Sequence, residues 1–196
     1  RRLQIIAKAG IEYAHTDYDV DRYRAIQDMV AEILENYSDI PKKKLLKLFE
    51  QEKGYITPKI DVRAAIFKDD KILLVKEKID GKWSMPGGWA DINLSLKESL
   101  IKEAKEEAGV EVEPKRVIAV LDRKKHNPPL FFYGVYKIFV QCDLISGEFS
   151  KNAETSDADF FLLDKLPPLS VGRNTFEQIK MCFDVKDKEN FDTIFE

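Results

Sequence analysis

The sequence is poor in the groups that staple small proteins or hold soft metals: its 196 residues include two cysteines and two histidines. Cys142 and Cys182 stand far apart with no C-x-x-C spacing, which excludes a disulfide framework and a zinc site and leaves both as idle thiols. His15 and His126 likewise lack metal-ligand spacing. Missing too is any apolar run near the roughly 20 residues that a membrane-spanning helix needs, so no membrane partner is expected. The amino end, RRLQIIAKAGIEYAH, is too broken by charge for the apolar centre of a secretory signal and reads as an amphipathic helix, which leads to the expectation of a cytoplasmic protein. Charge of one sign is not in large excess. A net charge of −3 argues against broad phosphate neutralisation, so no obligatory nucleic-acid partner is expected and the substrate should be small. Repeats and low-complexity tracts are absent.

What is present falls into two patterns. Apolar residues recur at helical spacing from Leu3 to Ala14 and from Val20 to Leu34, with Asp17 or Asp19 as the expected cap of the second helix. A third helix is expected from Lys42 to Gln51, after Pro41 and before Gly54. At Thr57-Pro58 the pattern changes: Ile60, Val62, Ala64 and Ile66 alternate with Asp61, Arg63 and Ala65, and Lys68-Asp69-Asp70-Lys71 is a hairpin turn leading into Ile72-Leu73-Leu74-Val75. Later strands are expected at Arg116–Leu121, Gly134–Asp143 and Ala158–Leu163, with a closing helix at Asn174–Phe183. Between early and late strands lies one strong helix, Leu96–Ala108. The reading is a small all-α domain over residues 1–57 and an α/β domain over 58–196, a mixed sheet with helices on both faces.

That central helix carries Glu103, Glu106 and Glu107, and the helical repeat sets residues three and four apart on one side. Three carboxylates so close repel one another unless a cation sits among them, and a hard divalent ion with oxygen ligands, Mg2+ or Mn2+, is the natural occupant. Lys102 and Lys105 interleave with them, so a solvated surface face is the competing reading of the helix alone. The context decides. Upstream stands Trp83-Ser84-Met85-Pro86-Gly87-Gly88-Trp89, whose paired glycines allow backbone to approach an ion or phosphate, and downstream Gly109-Val110 stops the helix.

In this arrangement the sequence resembles the Nudix box. Gly88, Glu103, Glu106, Glu107, Gly109 and Val110 stand in register with that signature over 23 residues, while Leu94 replaces its first glutamate, Lys102 its arginine, and Ala104 a larger aliphatic residue. Lys102 keeps the charge of an arginine without its planar fork. The helical amino-terminal residues, DVRAAIFKDDKILLVKE, WSMPGGWAD, LDRKKHNPP and AETSDADFFLLDKLPPLSVGRNT extend the resemblance to a bacterial subgroup that splits nucleoside diphosphates linked to another moiety, CDP-choline and ADP-ribose hydrolases among them.

The resemblance implies an α/β/α sandwich, a homodimer formed through the helical domain, and hydrolysis of a phosphoanhydride. It further implies that Glu103 and Glu107 bind the cation with the Gly87 carbonyl, that Glu106 shares the metal array and the catalysis, and that a late-loop glutamate, here Glu154, serves as base. Arg63, Lys76, Arg123 and His126 are candidates for holding phosphates, and Trp83, Trp89 and Phe132 for stacking on a base or covering the site. A catalytically silent nucleotide-binding relative and an RNA 5′-end pyrophosphohydrolase remain as alternatives. The residues leave ADP-ribose and CDP-choline both open.

Overall fold

The structure is a computed structural model describing residues 2–51, 57–129, 131 and 133–196. The chain divides into two compact units, Arg1–Thr57 and Pro58–Glu196. The first contains α1 (Arg2–Tyr13), α2 (Asp17–Tyr37) and α3 (Lys42–Gln51). Thr16, rather than Asp17 or Asp19, caps α2: its backbone is extended and its hydroxyl oxygen accepts the Asp19 N–H at 3.2 Å. Asp19 stands one turn in, where its carboxylate takes the Thr16 hydroxyl and its charge favours the helix N-terminus. α1 crosses α2 closely at Gly10, where an added Cβ would fall 2.4 Å from the Tyr23 ring. α3 is tied to α2 by Lys42, whose Nζ lies 2.7 Å from both Asp28 and Glu32.

The second unit begins with the expected hairpin. β1 (Lys59–Lys68) and β2 (Lys71–Glu77) are joined through Asp69 and Asp70, both at positive φ. There follow β3 (Trp83–Ser84), α4 (Leu96–Ala108), β4 (Val110–Asp122), the short α5 (Arg123–His126), β5 (Val135–Gly147), β6 (Thr155–Phe161), α6 (Phe176–Val185) and β7 (Ile194–Phe195). The sheet order is β3-β2-β1-β5-β4-β7, with β6 also on β2. It is mixed, since β1 runs parallel to β5 while β4 is antiparallel to β5. β4 and β5 extend beyond the alternating stretches visible in the sequence because bulges near Val112, Arg116 and Ala119 break the alternation without ending the pairing.

Strand parity sorts the core. Val62, Ala64, Ile66, Leu73 and Val75 turn to one face under Leu100, Ala104 and Ala108 of α4. Ala65, Ile72, Leu74, Ile118 and Phe139 turn to the other under Ile179, Cys182 and Val185 of α6. Fully burying a side chain such as Leu100 stabilises by about 1.5–3 kcal/mol. Burial pushes the Cys142 thiol up to about 12 and raises that of Cys182 as well, so both are inert packing groups. None of the described helices is long and apolar enough to cross a membrane.

β1 and β2 are paired only at the hairpin base, through Phe67↔Ile72 and Lys68↔Lys71. Beyond it that edge of β2 pairs with β3 while β1 continues against β5 on its other side, which leaves a free edge of β1. The loop after β3 fills that edge: Val62 donates to the Gly88 carbonyl at 2.8 Å, Ala64 to Pro86 at 2.9 Å, and Ala90 back to Ile60 at 2.9 Å.

Candidate active site

The two glycines of this loop serve different contacts. Gly87 adopts φ +140, and a Cβ there would lie 2.0 Å from the Val62 carbonyl oxygen, so only glycine can follow the path. At Gly88 a Cβ would come within 3.1 Å of Glu103 Oε2; its absence lets that carboxylate lie against the backbone. α4 is held in register at both ends by a Ser95/Glu98 capping box and by Gly109 in the left-handed conformation. Glu107 is 5% exposed and accepts the Gly87 N–H at 2.8 Å.

Glu103 and Glu107 converge on one cleft; Glu106 does not. At about 100° per residue, positions four apart differ by about 40° around the helix, and Glu106 lies about 100° from Glu107. Its side chain is 60% exposed, with Oε2 3.4 Å from Lys102 Nζ, which also reaches Asp91 at 3.0 Å. The expected convergence of all three glutamates is thus reduced to two. Glu154 completes the acidic set. Its loop is pinned to the end of α4, where Asn152 Nδ2 and Thr155 Oγ1 both donate to the Glu107 carbonyl, at 3.1 and 2.6 Å, and Asn152 Oδ1 accepts the Glu154 N–H at 3.0 Å.

Burial, then repulsion from Glu77 and Glu103, pushes the Glu107 carboxyl up to about 8 against the pull of Arg63 and the Gly87 N–H. Burial also raises Glu103, against the pull of Lys102 and Arg63 and with the repulsion of Glu106 and Glu154. The positive charge around these two carboxylates does not outweigh their burial. Hard oxygen donors held in a cleft and short of a counter-charge fit Mg2+ or Mn2+. Among the described residues no three acidic, histidine or cysteine groups close around a point by themselves, so a cation there would complete its shell with backbone oxygen, water or substrate.

A second charge cluster lines the same cleft. The parallel register sets Asp61 on β1 beside Lys137 on β5. Arg63 grips Asp61 through Nε and Nη2 at 2.8 and 3.0 Å and donates Nη1 to the Met85 carbonyl at 3.0 Å, while Lys137 Nζ reaches Asp61 Oδ1 at 3.0 Å. All three residues are buried. Burial opposes ionisation of Asp61, but Arg63 and Lys137 outweigh it and hold its carboxyl below the usual range. Burial and the neighbouring Arg63 push Lys137 down to about 7. Arg63, expected to hold phosphate, is committed to Asp61.

The cleft has a volume of about 480 Å3 and is lined by five carboxylates, Asp61, Asp91, Glu103, Glu107 and Glu154, and three guanidiniums, Arg63, Arg123 and Arg173. Trp89 stacks on Phe131 at its edge, with ring centroids 6.2 Å apart. Of the other expected site residues, three lie elsewhere. Trp83 packs edge-on against Phe161 at 4.8 Å within the α6-side core. Lys76 is on β2 in register with Trp83 and Asp157, outside the cleft. His126 bonds Glu196 at 3.1 Å. Phe132 lies outside the described residues.

Sequence reasoning missed Asp61, Lys137, Asp91, Phe131 and Arg173. A charged pair, Asp61 and Arg63, within an otherwise apolar strand was the available signal; Lys137 in VYKIFV was another.

A family model described as NUDIX domain matches residues 57–180. The chain belongs to the Nudix family. A second model, described as UDP-X-like, N-terminal oligomerisation domain, matches residues 1–49. The protein is therefore a Nudix hydrolase with a UDP-X-like helical domain ahead of its catalytic domain. It is 44% identical over all 196 residues, and 94% of the relative's length, to YjhB of Bacillus subtilis (strain 168), a candidate ADP-ribose pyrophosphatase by its name. An ADP-ribose pyrophosphatase of Methanocaldococcus jannaschii is 31% identical across 65% of this chain and 77% of its own. Among solved structures, an ADP-ribose pyrophosphatase from Streptococcus suis 89-1591 is 51% identical, covering 71% of this chain and 100% of that one at a TM-score of 0.67. A UDP-X diphosphatase is 31% identical, covering 100% of this chain and 95% of that one at a TM-score of 0.68.

Proposed function

We propose that this Nudix hydrolase cleaves the pyrophosphate bond of ADP-ribose or a closely similar nucleoside diphosphate sugar, with Mg2+ or Mn2+, releasing a nucleoside monophosphate and a sugar phosphate. One observation carries the reading: five carboxylates and three guanidiniums share a cleft that must receive a diphosphate anion, so cation binding at the surplus acids is a condition of substrate entry. The names of the full-length and high-identity relatives support ADP-ribose. Against CDP-choline stands Arg123, whose guanidinium already lies 4.8 Å from the Phe131 ring centre and would repel a quaternary ammonium there. We further infer a cytoplasmic homodimer assembled through the helical unit; the match to an oligomerisation domain and the two free, buried thiols support it.

In this reading Glu103, Glu107 and the Gly87 carbonyl would hold the cation, which would supply charge neutralisation at the phosphate oxygens and a lowered pKa for water near neutral pH. Glu107 is fixed for that role by the Gly87 N–H, so loop and helix move as one piece. Glu154, held against α4 through Asn152, takes the proton of the attacking water. Arg63 keeps a positive charge beside Glu107 and anchors the loop through Met85. Trp89 and Phe131 cover the bound nucleotide. Glu106 is assigned to orienting Lys102 and Asp91 at the rim.

The test is a panel of ADP-ribose, UDP-sugars and CDP-choline incubated with the pure protein and Mg2+ or Mn2+, scored by new phosphomonoester. ADP-ribose is expected to give the highest kcat/KM, and EDTA to abolish product. Tight binding of the panel without product would overturn the hydrolase in favour of a nucleotide sensor.

A further inference from the structure

The three guanidiniums of the cleft are not equivalent. Arg63 is bonded to Asp61, and Arg173 forms an ion pair with Glu77, Nε to Oε1 at 2.7 Å, and donates Nη1 to Ser170 Oγ at 3.3 Å. Arg123 is only 8% exposed, yet among the described residues its side chain has one hydrogen bond, from Nη1 to the Pro129 carbonyl at 3.1 Å, one ring contact, with Phe131, and no carboxylate within ion-pair distance. A guanidinium carries five N–H donors, and burying it without an anion is unfavourable. Burial lowers the Arg123 pKa, with the charge of Asp61 opposing.

Beside this cation the chain carries no side chain, at Gly172. Gly172 lines the same cleft, and a Cβ built on it would sit 3.6 Å from Arg123 Nη2 and 3.6 Å from the Pro128 carbonyl, ordinary contact distances. Its φ lies outside the positive range, so the backbone does not demand glycine here. Arg173 follows directly and is held by two bonds to Glu77 and Ser170, with Asn174 next to it locked onto the Met85 N–H at 2.7 Å. The segment is therefore preorganised.

We propose that Arg123, the gap at Gly172 and Arg173 form an anion seat, separate from the carboxylate set, that takes the phosphate of the substrate not held through the cation. The proposal rests on the diphosphate reading above for the identity of its ligand. It gives the cleft two phosphate sites of different chemistry, one reached through a divalent ion and one through a guanidinium. The seat retains a phosphomonoester after cleavage, so inorganic phosphate and ribose 5-phosphate should compete for it.

The experiment is calorimetric titration of inorganic phosphate into the intact protein in metal-free buffer with EDTA, where only the guanidinium site can take it. The Arg123→Gln variant is expected to weaken phosphate binding by about tenfold or more, the scale of one lost charge-assisted bond. Gly172→Asp keeps Arg123 and its contacts but places a tethered carboxylate in the gap, and should abolish binding while leaving the circular dichroism spectrum unchanged. Glu107→Gln, which alters only the acidic set, should retain phosphate binding within about threefold. Unchanged affinity in Gly172→Asp, or loss in Glu107→Gln equal to that in Arg123→Gln, would overturn the seat. If phosphate binding depends on Arg123 while the panel yields no product, the seat stands and the hydrolase reading falls.

Discussion

The cleft joins two buried charge clusters that meet the cost of burial in opposite ways. Around Asp61 the charges are covered from within the chain: one carboxylate is shared by a bidentate arginine and a lysine, and its carboxyl stays below the usual range. Around Glu107 they are not: burial drives the carboxyl up to about 8 against the charge of Arg63, and among the described residues its one hydrogen-bond partner is the Gly87 N–H. A cluster that satisfies itself is a brace, since removing one member strands the others. A cluster that does not is a site, because something from solution has to complete it. Both flank one loop: Arg63 holds the Met85 carbonyl and Glu107 holds the Gly87 N–H, so the brace fixes the backbone from which the site is built.

The contrast can be broken at three points. Glu154→Gln should lower kcat by about 10²–10⁴ with little change in KM, the usual cost of a lost general base; a change below about threefold in steady-state assays would remove Glu154 from the chemistry. Asp61→Asn should destabilise the protein by about 3–5 kcal/mol in denaturant unfolding, because Arg63 and Lys137 would then both be buried without a full counter-charge. Lys137→Met, which leaves the Asp61–Arg63 pair intact, should cost far less, and equal losses in the two variants would show that Asp61 is no brace. The third effect is smaller and depends on pH. A carboxyl raised from 4.5 to about 8 in the folded state holds its proton there while the unfolded chain has lost it, so in EDTA the Glu107 contribution to stability falls as pH rises from about 4.5 to about 8. A cation competes with that proton. The rise in Tm on adding Mg2+ should therefore be larger at pH 8 than at pH 5, and a gain independent of pH would place the ion elsewhere.

What was legible in the sequence was local. The end of α4 follows from Gly109 and the hairpin from four successive residues, while the Ser95/Glu98 capping box that starts the helix emerged only in the structure. The same locality limits the reading. Spacing puts three glutamates on one side of α4, but which of them meets the Gly87–Gly88 loop depends on how Ala104 and Ala108 seat the helix on β1. Asp61 and Lys137 are 76 residues apart and meet only because β1 and β5 pair in parallel register. Arg173 belongs to a loop whose course is set by Glu77 and Ser84 of distant strands. Trp83 and Lys76 were misplaced for a related reason: their composition suggests a binding role, while strand pairing directs Trp83 into the core and leaves Lys76 beside Asp157.

The claim that matters most is that the unsatisfied cluster on α4 is completed by a divalent cation and that this enables hydrolysis. Mg2+-dependent release of phosphomonoester from ADP-ribose, compared between the native protein and Glu107→Gln at equal folded concentration, tests it most directly. The account predicts that the variant keeps its fold and loses at least about a hundredfold in kcat, as expected for removal of a group acting on the transition state. An unchanged rate, or a native rate indifferent to EDTA, would contradict it.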